Sequence, residues 1–366
     1  MQVIILGGGL MGTATAYSLA ALGAKVILIE RGAIGAGATV ASFGNIRRSG
    51  RALEQLALAR RSLTLWGETE HRLGRDVEFR ATGHLRLVFD DEGLKDMHAY
   101  AQAAAPHGLD LEELTPAQIQ RRFPGLGPDA IAASFSPQDG SANPRLVGPA
   151  FADAAATLGA QIIDHAGVAQ ITRTDAGFTA TTERGSYHAD ALVNCAGAWG
   201  AALAEQFGEP VPLNTHGPLM GVTEPLPHRI LPVVGMWERN AGAYFRQVER
   251  GNIIFGGGVP RNPVKNGFAT VDPTQLPIQL RKLLRLCPAL ANVAVIRQWS
   301  GCEGYVADGL PVMGASRTTP GLFHAFGFCG HGFQLGPGVG DTMATLVTTG
   351  QSPLPIDVMS IGRFAA

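Results

Sequence analysis

The sequence predicts an α/β fold of two parts: a Rossmann-like parallel sheet fed by both ends of the chain, interleaved with a smaller α+β part built on a mixed sheet. Three observations predict it. The first thirty residues alternate strand, helix and strand around a glycine turn. At about 150 residues per domain, 366 residues suit two domains. Proline and glycine crowd the stretch from Pro210 to Pro263, which reads as strands and turns, whereas the two ends carry glycine-rich, charge-free runs from Val3 to Ala24 and from Thr318 to Gly340. The expected boundaries are 1–80, 143–212 and 300–366 for the first part, 81–142 and 213–299 for the second.

Val3-Ile4-Ile5-Leu6 is a short apolar run rich in β-branched residues, as a buried strand requires. Gly7 to Gly9 breaks it, and the Ala-rich stretch from Leu10 to Leu22 is a helix that Gly23 stops. Lys25 to Ile29 is the next buried strand, so the opening is a right-handed βαβ unit. From Arg51 to Leu73, Leu53, Leu56, Leu58, Leu63, Leu65 and Trp66 supply one apolar face, which predicts a single long amphipathic helix. Gly83 to Phe89 alternates as a strand, Asp90 to His107 is helical, and Phe123 to Pro128 is a loop. Asn143 before Pro144 pairs an N-cap with proline at the first helical position and opens a helix to about Leu158. A small meander follows to His188, with Gly185 in a turn, and Ala191 to Asn194 is another core strand. Tyr244 to Gln247 and Asn252 to Phe255 form a hairpin around Glu249-Arg250-Gly251, Pro277 to Leu286 is helical, and Gly330 to Leu346 is a helix with a glycine-heavy first half.

Lys and Arg total 29 against 30 Asp and Glu, a net charge of -1, which argues against the basic footprint of a nucleic-acid binder. With 46% hydrophobic residues the chain can bury a large interior. Cys195, Cys287, Cys302 and Cys329 stand alone, without CxxC or zinc-finger spacing. Neither a disulfide framework nor a metal site is expected, and a reducing cytoplasm fits. The two charge-free runs are long enough to cross a bilayer. Glycines and small polar residues break both, however, and the first lacks the basic region of a signal peptide. A soluble cytoplasmic protein without a transmembrane or targeting segment is expected.

Gly7-Gly8-Gly9-Leu10-Met11-Gly12 is GxGxxG set directly between a strand and a helix. Gly7 permits the turn, Gly9 lets a pyrophosphate approach the backbone, and Gly12 allows close helix–strand packing, while the positive helix end meets the phosphates. Glu30 closes the second strand, eighteen positions after Gly12, where an acid accepts hydrogen bonds from ribose hydroxyls and disfavours a 2′-phosphate. A glycine-rich turn in a buried hairpin is the competing reading, outweighed by strand, helix and acid occurring together. These residues alone leave NAD and FAD open. A second small-residue loop from Gly35 to Ile46 can wrap the far side of a larger cofactor.

Three further blocks stand out: Val193-Asn194-Cys195-Ala196-Gly197-Ala198-Trp199, Asp308-Gly309-Leu310-Pro311-Val312-Met313-Gly314, and Gly327-Phe328-Cys329-Gly330-His331-Gly332-Phe333-Gln334. With the N-terminal fingerprint they resemble, over nearly the whole chain, the D-amino acid oxidase-like flavoprotein family that includes sarcosine oxidase, glycine oxidase and D-amino acid dehydrogenase. The first resembles the family's second dinucleotide-contacting strand and turn, the second its late strand motif. The third resembles the GFSGHGFK block of sarcosine oxidases, with Cys for Ser and Gln for Lys. The resemblance implies FAD in a GR2-type domain. It places Gly7, Gly9, Leu10, Met11, Gly12, Glu30 and Arg31 around the cofactor, then Ala38, Thr39, Ser42, Gly44 and Asn45, then Val168, Cys195, Ala196, Gly197 and Trp199, and finally Gly301, Gly330, His331, Gly332, Phe333 and Gln334.

A helix starting under the flavin pyrimidine at Gly330 to Phe333 would stabilise the negative charge that reduction places there. His331 reads first as packing near the flavin edge, and second as a proton-transfer group. Gln334 stands where the resemblance puts a lysine that helps bind the substrate carboxylate. Some members attach FAD through a cysteine at the position of Gly301, so covalent attachment is not expected and Cys302 reads as a packed thiol. Where glycine oxidase-like members carry an arginine for the substrate carboxylate, this chain has Glu303, which repels an anion and could hold an amine or guanidinium. Arg47, Arg48 and Arg246 are the candidate carboxylate anchors, with Arg47 and Arg246 foremost and Arg246 beside Tyr244. Ile254 falls about where sarcosine oxidases use a lysine to activate oxygen.

A dehydrogenase is therefore expected, passing electrons to a partner. It resembles the β subunits of D-hydroxyproline dehydrogenase, opine oxidase and hydrogen cyanide synthase, which work with small iron–sulfur or second-flavin subunits; this chain has no cluster-binding cysteine array of its own. The expected reaction converts the C–N bond of a small amino or secondary-amino acid to an imine, with Arg47, Tyr244, Arg246, Glu303 and His331 on the substrate side. An oxygen-using oxidase of the same fold, a tRNA-modifying or non-redox flavoprotein, and an NAD-dependent enzyme are the alternatives.

Overall fold

The computed structural model describes residues 1–238, 242–265 and 267–365. A six-stranded sheet runs in the order Val312–Ala315, Leu322–Phe326, Ala191–Asn194, Gln2–Leu6, Lys25–Ile29, Gln161–Ile163. All its pairings are parallel except the first, where the chain doubles back. Strands buried on both faces read as continuous apolar runs, and the two faces of Gln2–Leu6 show why. Val3 and Ile5 pack among Leu19, Leu335, Val339 and Met343 on the helical side, whereas Ile4 and Leu6 pack against Phe178 and Ala180 of a three-stranded antiparallel sheet on the other.

A second, eight-stranded sheet is mixed. Its order is Val295–Ser300, Leu219–Pro225, Asn252–Gly257, Ala243–Gln247, Val233–Met236, His84–Val88, Ala132–Ser136, Glu112–Leu114. One pairing is parallel, between Val233–Met236 and His84–Val88, and it joins segments far apart in the chain. The expected hairpin is present with Phe245 opposite Phe255. The helix Leu276–Leu286 covers this sheet through Leu283 and Leu286. The α/β architecture with a Rossmann-like sheet and a second mixed sheet is thus the one the sequence predicts.

The helix Pro144–Thr157 is capped as expected, the Asn143 side chain accepting from the Arg145 amide at 3.0 Å. The segment from Arg51 to Leu73 differs from its expectation. It is a 3-10 turn, Leu53–Gln55, then the helices Leu56–Gly67 and Thr69–Leu73. Gly67 favours helix weakly, and the Thr69 hydroxyl donates to the Trp66 carbonyl at 2.8 Å, so the ladder breaks just after the buried Trp66. Among the described residues no helix is long and apolar enough to cross a membrane.

Candidate active site

A cavity of about 2040 Å³ opens beside the N-terminal glycine turn and extends to residues of both large sheets. Gly7 has φ +107 and lies so close to the Ala191–Asn194 strand that a Cβ there would sit 2.3 Å from the Cys195 carbonyl oxygen. A Cβ on Gly12 would be 1.8 Å from the Gly7 carbonyl, which makes that position the packing glycine of the turn. Gly9 is different. A Cβ there would meet only the Thr39 hydroxyl, at 3.4 Å, and the residue lies on the cavity wall. The same Thr39 hydroxyl accepts from the Leu10 amide at 2.9 Å, fixing the helix start.

Glu30 reaches the wall with its carboxylate steadied by the Gly8 and Gly32 amides, each at 2.7 Å. Arg31 lays its guanidinium 3.6 Å over the Trp199 ring, and both line the cavity. Met11, Ala38, Ser42, Val168, Cys195, Ala196, Gly197, Gly301, Gly330, Gly332 and Phe333 line it as well. Burial pushes the Cys195 thiol up to about 12, so this sulfur is a packing group. Cys302, half-buried, is also on the wall.

Some residues expected at the cofactor stand behind that wall. Gly44, with φ +80, is wedged against the Ala142 carbonyl, and Asn45 pairs with Ser141 in a two-stranded ladder. Gln334 is fully buried and donates to the Ala59 carbonyl at 2.8 Å, facing the Leu56–Gly67 helix. His331 follows the wall residue Gly330, and its buried Nδ1 has no partner among the described residues. Burial first, then Arg51, Arg47 and Arg261, holds this imidazole neutral. The open approach to Gly9, the carboxylate at the second strand end and the orphan His331 nitrogen fit a long dinucleotide that ends beside Gly330.

Near that end, Glu303 lies on the wall and accepts from the Tyr305 hydroxyl at 2.5 Å. Burial raises its carboxyl above the ordinary value of 4.5, while Tyr305 and Arg261 oppose the shift. Arg261 stacks 4.1 Å over the Tyr305 ring. Tyr244 packs edge-on against Phe43 at 4.7 Å, and burial and then Glu303 push its phenol up while Arg47 pulls it down. Glu303, Tyr244, Arg47 and His331 therefore share one electrostatic neighbourhood.

Arg246 adjoins that group through Phe43, its guanidinium 5.6 Å over the ring that packs on Tyr244, but its charge couples to Glu78. Its Nε donates to the Phe43 carbonyl at 2.7 Å on another stretch of the wall, and burial lowers it to about 10. Arg48 is engaged with Asp139 at 3.8 Å and with Gln138 at 2.9 Å. Sequence reading passed over Tyr305 and Arg261. The first was within reach, since residues two apart on the Glu303–Val306 strand share a face; Arg261 lies on a loop with no periodicity to read.

The family profile described as DAO, FAD dependent oxidoreductase, matches residues 2–346. The chain is 28% identical to the sarcosine oxidase subunit beta of Arthrobacter sp, over 99% of this chain and 91% of that protein. It is 27% identical to the mitochondrial sarcosine dehydrogenase of Homo sapiens, over 99% of this chain but 41% of that protein. It thus spans about two fifths of the length of the first curated relatives it matches. The crystal structure of L-proline dehydrogenase from P. horikoshii superposes with a TM-score of 0.93 at 28% identity, over 99% of this chain and 97% of that one. With the glycine turn, the ribose acid and the cavity already in place, the chain belongs to the FAD dependent oxidoreductase family, and its cofactor is FAD.

Proposed function

We propose that this protein oxidises the C–N bond of a small amino or secondary-amino acid to an imine and passes the electrons to a partner acceptor. The observation that carries this reading is the grouping of Glu303, Tyr305, Tyr244, Arg47 and His331 where Gly330 and Gly332 form the cavity wall. FAD, when bound, supplies acceptance of two electrons from the substrate's α-carbon. The chain supplies the rest. Glu303 offers the only carboxylate of this group to the substrate amine, and its raised pKa suits it to take the ammonium proton. Tyr305 orients that carboxylate through its hydroxyl. Arg47 holds the substrate carboxylate, and Tyr244 closes the pocket over the carbon to be oxidised. The start of the helix Gly332–Thr349 sets a positive end beside the wall, where it favours negative charge. Positioning accounts for most of the rate.

Ile254 on the cavity wall brings no cation that would help oxygen react, which favours a protein acceptor over oxygen. The likeness to a sarcosine oxidase subunit beta supports work within a subunit complex, with a small iron–sulfur or second-flavin subunit as the partner class. Anaerobic titration of the purified protein against a panel of amino and secondary-amino acids tests the reading. Bleaching of the flavin by at least one of them is expected, with dye reduction exceeding peroxide yield in air. Flavin that no amine bleaches would overturn it, and peroxide matching substrate consumed would replace the partner with oxygen.

A further inference from the structure

Arg47, Arg51 and Arg86 bring three guanidinium groups to one place. Gly50, in the left-handed region at φ +69, is where two of them meet: a Cβ there would lie 2.0 Å from Arg86 Nη1 and 3.3 Å from Arg47 Nη1. Arg51 is only 3% exposed and is held from two sides, Nε donating to the Arg47 carbonyl at 2.8 Å and Nη1 to the His331 carbonyl at 3.1 Å. Arg86 lies 3.8 Å over the Trp237 ring. Arg47, Arg86 and Trp237 are half-buried, so the spot can be reached from outside the core.

Among the described residues no carboxylate lies within ion-pair distance of any of the three. Asp139, the acid that acts on Arg47 and Arg51, is occupied by the Arg48 and Ser49 amides at 3.0 and 3.3 Å and by the Arg48 side chain. The other neighbours add no negative charge. The Tyr100 hydroxyl accepts from the Arg51 amide at 3.0 Å and its phenol is pushed up by burial, while burial and then Arg47 keep His84 neutral. Burial and then mutual repulsion with Arg47 bring Arg51 and Arg86 down to about 9, still charged at neutral pH. Three like charges packed together without an anion are unfavourable until one arrives.

A single carboxylate presents two oxygens and one charge, which one arginine fork satisfies. Arg47 couples to Tyr244 on the amine-binding side and to Arg86 and His84 on the other. Resting on the amine oxidation proposed above, we infer that the substrate is an amino dicarboxylate whose first carboxylate is held by Arg47 and whose second is held by Arg86 beside it. Arg51 acts as a positioning residue, tying Arg47 to the His331 turn.

Matched pairs test this on the intact flavoprotein. Dissociation constants from anaerobic flavin titration are compared for iminodiacetate against sarcosine, and for glutamate against 2-aminopentanoate in both enantiomers. Calorimetric binding of succinate against butyrate, neither of which has an amine, is read alongside. The dicarboxylate is expected to bind about tenfold tighter or more in each productive pair, as a charge-assisted contact implies, and Arg86→Gln is expected to shrink that preference to about twofold or less. Equal binding of the two members by the native protein overturns the proposal, as does an Arg86→Gln protein that weakens both members alike. The native comparison needs no variant, so misfolding of Arg86→Gln leaves it decisive. If no amine bleaches the flavin while succinate still binds about tenfold tighter than butyrate, the dianion site stands and amine oxidation falls. If amines bleach it without preference, amine oxidation stands and the dianion site falls.

Discussion

At the scale of single residues, Glu303 couples stability and activity to pH in opposite senses. Burial raises its carboxyl above the ordinary 4.5, so the folded protein binds that proton more tightly than the unfolded chain. Its contribution to stability is complete below the unfolded value and is lost as pH rises through the folded one. Activity runs the other way, because only the carboxylate can take a proton from the substrate ammonium. The rate of flavin reduction is expected to rise with pH on a limb above the normal carboxylate range, and Glu303→Gln is expected to remove that limb while lowering the plateau by about 10²-fold or more. Stopped-flow reduction across pH checks this, and a limb that survives the substitution assigns it to another group. Tyr305 and Glu303 are two residues apart on one strand and so were within reach of the sequence. Arg51 and Arg86 were not. Nothing in local spacing brings a guanidinium from the turn after Ile46 onto one from the His84–Val88 strand.

At the scale of elements, the helix Gly332–Thr349 shows how a motif read as cofactor-binding also carries packing. Pro337 inside it lacks the N–H that would serve the preceding turn. That N–H would have gone to the Phe333 carbonyl; the Leu56–Gly67 helix bridges the adjoining pair, Ser62 Oγ donating to the Gln334 carbonyl at 2.6 Å and accepting from the Gly338 amide at 3.1 Å, while Trp66 Nε1 donates to the same carbonyl at 2.7 Å. On the other side the helix rides directly on Leu10–Ala21, where a Cβ on Gly340 would stand 2.5 Å from the Ala14 carbonyl carbon and oxygen. Backbone cannot yield as a side chain would. Gly340→Ala is therefore expected to cost about 1–3 kcal/mol in urea unfolding. Gly67→Ala, at a position where a Cβ meets nothing within 4 Å, is expected to be neutral or stabilising by up to about 1 kcal/mol. A Gly340→Ala protein as stable as the native one would mean that the two helices can separate freely. Caps and hairpins were legible because their signals are local, as at Asn143 and around Arg250. The strand Ala132–Ser136 was not, since AASFS has no alternation and owes its place to pairing with His84–Val88.

At the scale of the whole molecule, the cofactor cavity is where the two large sheets meet. Gly7, Gly9 and Glu30 come from the turns of the six-stranded sheet, while Val222, Arg246, Ile254 and Trp299 come from strands of the eight-stranded one. Direct ties across this seam include Trp299 Nε1 to the Ala41 carbonyl at 3.0 Å and Arg246 Nε to the Phe43 carbonyl at 2.7 Å. A ligand held by both sheets stabilises both, by about 2.7 kcal/mol at a free concentration a hundred times its Kd. FAD is therefore expected to slow amide exchange at Leu10 to Thr13 and also along Asn252–Gly257, although the first is the start of a helix beside the six-stranded sheet, the second is a strand of the eight-stranded one, and they lie some 240 residues apart. Hydrogen exchange of apoprotein and holoprotein, read peptide by peptide, decides the matter. Protection confined to the glycine turn would mean that the eight-stranded sheet contributes shape to the cavity but no grip on its occupant, and the substrate groups on that sheet would then have to be organised by the substrate itself.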